Sequence, residues 1–334
     1  MNIIGIDVSK KKLHGCLLSD SQPDKSRHRV VANTAEGIEL LRRWASEKAA
    51  AEPSTLRVIL EATGPYHEAA ATALQAAGCE VVVVNPARVK YFAKSEGLRS
   101  KTDKLDAYVL ARFGHKDNLR QWQPPPPEYH QLRALWQRLE TLEGDLRRER
   151  NRQEKLTATP ASSPEVLDSV SRSITFLEEQ IQRLKDPIEA HIAHHPTLQK
   201  DHQLLQSIPG VGPALATAMV ALLYHGHRFE RASQVAAYLG LIPISEQSGT
   251  SVFTPPHLSK AGPAIWRAAL YMPALVAIRF NPDVQHLYQR LLARGKAKMA
   301  AVGAAMRKLV HICFGVIKHQ TPYQSQIAAQ GVDK

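Results

Sequence analysis

The sequence predicts an α/β domain followed by helices, and three observations carry that expectation. Over residues 1 to about 120, short apolar runs alternate with patterns of helical period. A four-proline run, Pro124 to Pro127, then interrupts the chain, and neither a helix interior nor a central strand accepts it. Beyond it, apolar residues recur at near-heptad spacing and then in mostly helical patterns. The expected division is a first domain over 1–122, a helical coiled-coil segment over 123–200 and a mostly helical domain over 201–334.

Asn2 to Val8 and Leu13 to Leu18 read as a hairpin, with Arg29 to Val31 as a third strand. Ala35 to Lys48 is amphipathic at helical period. Leu56 to Leu60 and Glu80 to Val84 are continuous apolar runs, read as buried strands, with a helix over His67 to Ala77 between them. Pro86 suits the first turn of a further helix. After the prolines come two apolar rows. Leu132, Leu135, Leu139, Leu142 and Leu146 form one; Val166, Val170, Ile174, Leu177, Ile181, Leu184 and Ile188 form the other. Between them lies TATPASSPE, with Ser163 as a helix cap. The rows fit two antiparallel helices in one chain or a dimeric coiled coil. From Asp201 the pattern is helical again, except for an irregular stretch over Pro243 to Pro256.

Composition bounds the function. The chain has 334 residues, 44% of them hydrophobic, enough for two or three domains and too apolar for a disordered protein. A net charge of +12 suggests a polyanionic partner. Cys16, Cys79 and Cys313 are far apart, without the spacing of a disulfide frame or a zinc site, and read as buried small hydrophobes in a reducing compartment. His194 and His195 precede Pro196 at a helix end and are not read as metal ligands. The chain opens directly on a strand-like run, read as lacking a signal peptide, and no apolar stretch reads as long enough to span a bilayer.

Four acids carry the chemistry. Asp7 closes the apolar run IIGID, and Glu61 closes VILE. Asp103 and Asp106 stand three apart at the start of a helical pattern, on one face. Singly, each has a structural explanation. Asp7 can be a turn former, and Asp103 and Asp106 an N-cap and a first-turn acid. Glu61 follows three apolar residues where burial is expected, and a buried acid needs a partner or a metal. Together they offer hard oxygen ligands for magnesium-type cations, and two-metal sites of this kind cut phosphodiesters.

The second half carries weaker signals. In SIPGVG, Gly210 and Gly212 flank Val211 in a tight turn between helices, a helix-hairpin-helix pattern suited to sequence-independent backbone contact with DNA or RNA. Ser248 sits in a small polar segment, SEQSGTSV, with no Ser–His–Asp partners in evident reach. Lys260 and Arg267 form a basic segment opening a helix, and Arg307 and Lys308 follow later.

GIDVSK, EATGPY, NPARVKYFAKSEGLRSKTDKLDA, SIPGVG, YLGLIP, SGTSV, SKAG, ALYMPA and MRKL, in this order, resemble the DEDD-type insertion-sequence transposases, the bridge-RNA-guided serine recombinases related to pilin-gene invertases. The resemblance spans nearly the whole chain and is weakest from about Gln121 to Gln199. It implies a RuvC-like, RNase H-type first domain whose tetrad maps onto Asp7, Glu61, Asp103 and Asp106, with Mg2+ as cofactor and Mn2+ as substitute. It also implies a carboxy-terminal transposase domain whose nucleophile maps onto Ser248. It further implies donor and target DNA as partners, with a non-coding bridge RNA that pairs with both. Homodimers would assemble into homotetramers, with the tetrad from one protomer and the serine from another, in a bacterial cytoplasm at the nucleoid. FTPPHL, over Phe253 to Leu258, lacks the arginine expected in relatives, which leaves phosphate gripping near Ser248 to Lys260 and Arg267. The expected function is therefore a recombinase that moves an insertion sequence through a covalent serine–DNA link. The alternatives are a protein-guided invertase, a RuvC-like junction nuclease using water, and a non-catalytic nucleic-acid scaffold.

Overall fold

The computed structural model describes residues 2–19, 22–62, 64–98, 100, 102–116, 119–159, 163–224, 229–248, 252–325 and 327. By its contacts the chain divides into two compact units, Met1–Pro124 and Pro125–Lys334.

The first unit is built on a five-stranded sheet of β1 (Asn2–Val8), β2 (Lys12–Ser19), β3 (Gln22–Ala32), β4 (Leu56–Glu61) and β5 (Glu80–Val84), in the order β3-β2-β1-β4-β5. β1, β2 and β3 form an antiparallel meander, while β4 and β5 add in parallel to β1. The third strand is longer than the expected Arg29 to Val31, because ladder pairing to β2 carries its polar start. Alternation sends the two sets of strand residues to opposite faces. Ile4, Ile6, Val8, Val58 and Leu60 meet α1 (Ala35–Ala49) and α2 (Glu68–Ala76). Ile3, Cys16, Ile59 and Val82 meet α3 (Pro86–Ser95) and α4 (Asp103–Phe113).

In the second unit, α5 (Pro127–Thr157) and α6 (Pro164–His194) form a long antiparallel pair. Contacts of Glu128 with His191, Arg150 with Glu178 and Gln153 with Ser171 set the direction. The last residue of the proline run, Pro127, opens α5, where a missing N–H costs nothing. Ser163 precedes α6, but its hydroxyl bonds the Glu165 carboxylate instead of capping the helix. The root of the pair shares one core with α7 (Pro196–Gln206), α8 (Pro213–Leu223), α9 (Ala232–Tyr238), α10 (Ala264–Phe280), α11 (Pro282–Ala293) and α12 (Lys298–His319). Buried Asp201 ties this root together, accepting from the Tyr129 hydroxyl at 3.0 Å and the Gln320 amide at 2.8 Å.

Two expectations are corrected here. The stretch Pro243 to Pro256 is not irregular. It lies in a two-stranded antiparallel hairpin of β6 (Pro243–Ser248) and β7 (Val252–Leu258). Its register shifts between Ile244 and Glu246, opposite Pro255 and Pro256, so the prolines fall where the ladder is interrupted. Among the described residues, one helix is also long and apolar enough to cross a membrane by length and composition. It is α12, with a mean hydropathy of 1.5 over its most apolar window. That window is 61% buried inside the protein, as befits the central helix of a globular unit. All three cysteines are free and buried, and burial pushes the Cys16 and Cys313 thiols up to about 12.

Candidate active site

Asp7 and Glu61 lie near or at the carboxyl ends of adjacent parallel strands. The register runs from Asn2 beside Leu56 to Ile6 beside Leu60, and one further step sets Asp7 beside Glu61. Both alternate with Ile3 and Ile59, so both face α4. Each is half-buried, so Glu61 is less enclosed than its apolar run suggested.

Backbone contact fixes the direction of α4. A Cβ on Gly5 would lie 2.2 Å from the Ala111 nitrogen and 2.3 Å from the Ala107 oxygen, so the helix rests directly on β1. At its far end, a Cβ on Gly114 would lie 2.6 Å from Ile3 and 2.8 Å from Ile59. The Arg57 guanidinium holds that end, donating to the Gly114 carbonyl at 3.1 Å while pairing with Glu80 at 2.9 Å. The helix therefore runs antiparallel to β1, and its first turn points toward Asp7. Asp103 and Asp106 occupy that turn, but Asp103 is not the cap. Thr102 is the N-cap, its hydroxyl accepting from the Leu105 N–H at 3.2 Å, while Asp103 and Asp106 both lie in the first turn.

The donor set is all carboxylate, which suits a hard divalent cation. Among the described residues, no three His, Cys, Asp or Glu side chains come close enough together to hold a metal ion. The fold gathers the acids on one edge and one face; it does not close a finished coordination shell.

Several neighbours of this edge escaped the sequence reading. The Asn33 amide donates to the Ser9 carbonyl at 3.0 Å and the Tyr66 carbonyl at 3.2 Å. It thereby stitches together the loops that follow Asp7 and Glu61. His14 pairs across the ladder with Asp7, and its ring packs edge-on to His28 with centroids 5.5 Å apart. Burial holds the His14 imidazole below its usual range; nearby Asp103 opposes that shift and Lys104 adds to it. Burial, then Lys104 and His14, lower His28 as well.

The second unit holds the remaining candidates. Gly210 has φ +98°, and a Cβ there would lie 2.7 Å from the Ala277 Cβ of α10. Its missing side chain therefore serves helix packing, which corrects the expectation that it makes room for a phosphate. Gly212 has open space around its Cβ position and precedes α8. His202 clamps the turn: its Nε2–H donates to the Pro213 carbonyl at 3.1 Å, while Nδ1 accepts from Gln206 at 2.8 Å.

Ser248 ends β6 and pairs with Val252 next to the hairpin turn; its side chain lies outside the described residues. Lys260 and Arg267 belong to the other end of the hairpin, whose root pairs Pro243 with Leu258. At about 3.3 Å per residue, Lys260 stands roughly 20 Å from Ser248, too far to grip its phosphate within one chain. Arg267 instead donates to the Leu239 carbonyl at 3.2 Å and the Gly262 carbonyl at 3.0 Å. Gly240 and Gly262 both have positive φ and interlock there, a Cβ on Gly262 falling 2.0 Å from the Tyr238 oxygen.

Comparison with known proteins gives the family of the chain. Residues 4–158, which include the four acids, match a family model described as Transposase. Residues 202–289, which include Gly210, Ser248 and Arg267, match one described as Transposase IS116/IS110/IS902 family. The pilin gene-inverting protein of Moraxella lacunata is 34% identical over 97% of this chain and 98% of its own length. A putative transposase, y4rJ, of Sinorhizobium fredii is 26% identical over 84% of this chain and 81% of its own. The transposase for insertion sequence element IS1111A of Coxiella burnetii is 29% identical over 37% of this chain and 35% of its own. The chain belongs to the IS116/IS110/IS902 family of transposases, enzymes that cut and rejoin DNA.

Proposed function

We propose that this transposase cuts donor and target DNA at the α4-facing carboxyl edge of its first unit, a RuvC-like domain in this reading. The observation that carries the reading is the approach of the first turn of α4 to the ends of β1 and β4, which brings Asp103 and Asp106 toward Asp7 and Glu61. These carboxylates would hold magnesium, or manganese in its place. When bound, the cation would polarise the scissile phosphate and stabilise the departing oxygen. The Ser248 hydroxyl would attack phosphorus as its proton leaves to a base. The bridging oxygen of the cut strand departs, and the strand remains joined to Ser248 as a phosphodiester. Reversal on a new strand end then rejoins DNA without a nucleotide cofactor. Homodimers pairing into tetramers, in the cytoplasm at the nucleoid, complete the reading.

Choice of sites would rest with a bridge RNA that pairs with both DNAs, while the protein supplies phosphate contacts. Changed guide bases should redirect insertion with the protein unchanged. Efficient recombination by RNA-free protein would overturn that part. A specific finding favours a second reading, site-specific inversion guided by the protein: the two pilin gene-inverting proteins match along almost their whole length. The test of the shared chemistry is Glu61→Gln and Asp106→Asn. Both should lose strand cleavage in magnesium while folding and nucleic-acid binding persist; full cleavage by either would overturn the site.

A further inference from the structure

The first unit carries an aromatic and basic helix face that the cleavage chemistry does not use. α3 has the sequence PARVKYFAKS, which carries three cations, Arg88, Lys90 and Lys94, and no acid. Its buried side is Val89, backed by half-buried Phe92 and Ala93. At 3.6 residues per turn, Lys90, Lys94 and Tyr91 fall within about 100° of arc on the opposite side. Tyr91 is 70% exposed, more than any other large hydrophobic among the described residues. A phenol ring left this open at the surface, beside two lysines, offers a flat π-face within an electropositive field.

The cations behind this face are held in place. Arg88 lies over the Phe113 ring at 5.4 Å, and the Lys116 ammonium lies over the Phe92 ring at 4.7 Å. Phe92 and Phe113 themselves pack edge-on at 5.4 Å, joining α3 to α4. Rings thus fix two of the positive charges, which lowers the entropy lost when they meet a phosphate. The helix also follows directly on β5, whose last residue, Val84, pairs with Glu61.

We propose that Tyr91, beside Lys90 and Lys94, is a stacking platform for an unpaired DNA strand. Stacking on a phenol ring needs a base face free of its helix, and the lysines need phosphates at backbone spacing; a single strand offers both and a duplex offers only the phosphates. Strand exchange exposes such a segment beside each cut. The proposal rests on the chain being an enzyme that acts on DNA, and it adds a contact that steers the loosened strand rather than one that cuts it.

The test is binding of a labelled single-stranded oligothymidine to the full-length protein in the absence of divalent metal, read by fluorescence anisotropy. Tyr91→Ala should weaken binding about tenfold, with Tyr91→Phe close to wild type and duplex binding unchanged. Replacing Lys90 and Lys94 with alanine should flatten the dependence of log affinity on log salt by about 0.7 per lysine. Unchanged binding by Tyr91→Ala, equal losses in Tyr91→Phe, or an equal loss on duplex DNA would each overturn the platform. A larger loss on an oligouridine would overturn the assignment to DNA in favour of RNA. Because no metal is present in this assay, full cleavage by Glu61→Gln would overturn the proposed cleavage site and leave this binding result standing.

Discussion

Replacing Gly5 with alanine tests how the fold aligns its acids. The added methyl would sit 2.2 Å from the Ala111 nitrogen, 2.3 Å from the Ala107 oxygen and 2.8 Å from the Leu110 carbonyl carbon. These are backbone atoms of α4, so no rotamer change relieves the contact. Ordinary contact begins near 3.4 Å, so the helix must retreat by roughly 1 Å. Overpacking of this kind costs about 1–3 kcal/mol. In a unit of this size that lowers Tm by roughly 5–15 °C. The same retreat carries Asp103 and Asp106 away from Asp7 and Glu61, and a misplacement of about 1 Å costs on the order of 100-fold in rate. Strand cleavage of a donor DNA substrate, measured beside thermal unfolding well below the lowered Tm, separates the two effects. Gly144→Ala is the control: it lies inside α5 with open space around its Cβ position, so it should gain about 1 kcal/mol and leave cleavage unchanged. A Gly5→Ala protein with wild-type Tm and wild-type cleavage would refute the close seating of α4 on β1.

Ser248→Ala should abolish any denaturant-resistant protein–DNA adduct; an adduct that persists, or that mass spectrometry maps to Ser251, would move the nucleophile. Asp201→Ala should destabilise the second unit by about 3 kcal/mol, because it strips partners from the buried Tyr129 hydroxyl and the Gln320 amide, and a thermal shift of only a degree would contradict that estimate. Burial lowers the His202 pKa from 6.5, and Nδ1 already accepts from Gln206, so the folded state disfavours the added proton. Stability should therefore be full above pH 6.5 and fall as the pH drops below it, where the unfolded chain takes up the proton first. His202→Gln should shrink the Tm difference between neutral and acidic buffer, and an unchanged difference would assign that dependence to other groups.

Much of the first unit was legible in the sequence because its buried parallel strands are continuous apolar runs. Glu61 stood out for the same reason, as an acid closing such a run. The hairpin of β6 and β7 was hidden because its two prolines argue against a strand, and only the register shift opposite them shows why they are tolerated. Asn33 was invisible because its partners lie 24 and 33 residues away and are carbonyls, which any residue type supplies. Gly210 misled because glycine serves close packing and ligand approach alike; only the position of Ala277 shows which one fills the space. Thr102 was passed over as a cap because Asp103, an equally good capping residue, stands next to it.

The four acids are proposed to share one divalent cation site. Ferrous ion in place of magnesium, with ascorbate and peroxide, generates hydroxyl radical at the bound metal and cuts the polypeptide backbone nearby. Fragments of the wild-type protein should end near Asp7, near Glu61 and between Asp103 and Asp106, and all three cuts should weaken together in Glu61→Gln. Cuts confined to one of these segments, or clustered elsewhere in the chain, would contradict a shared site.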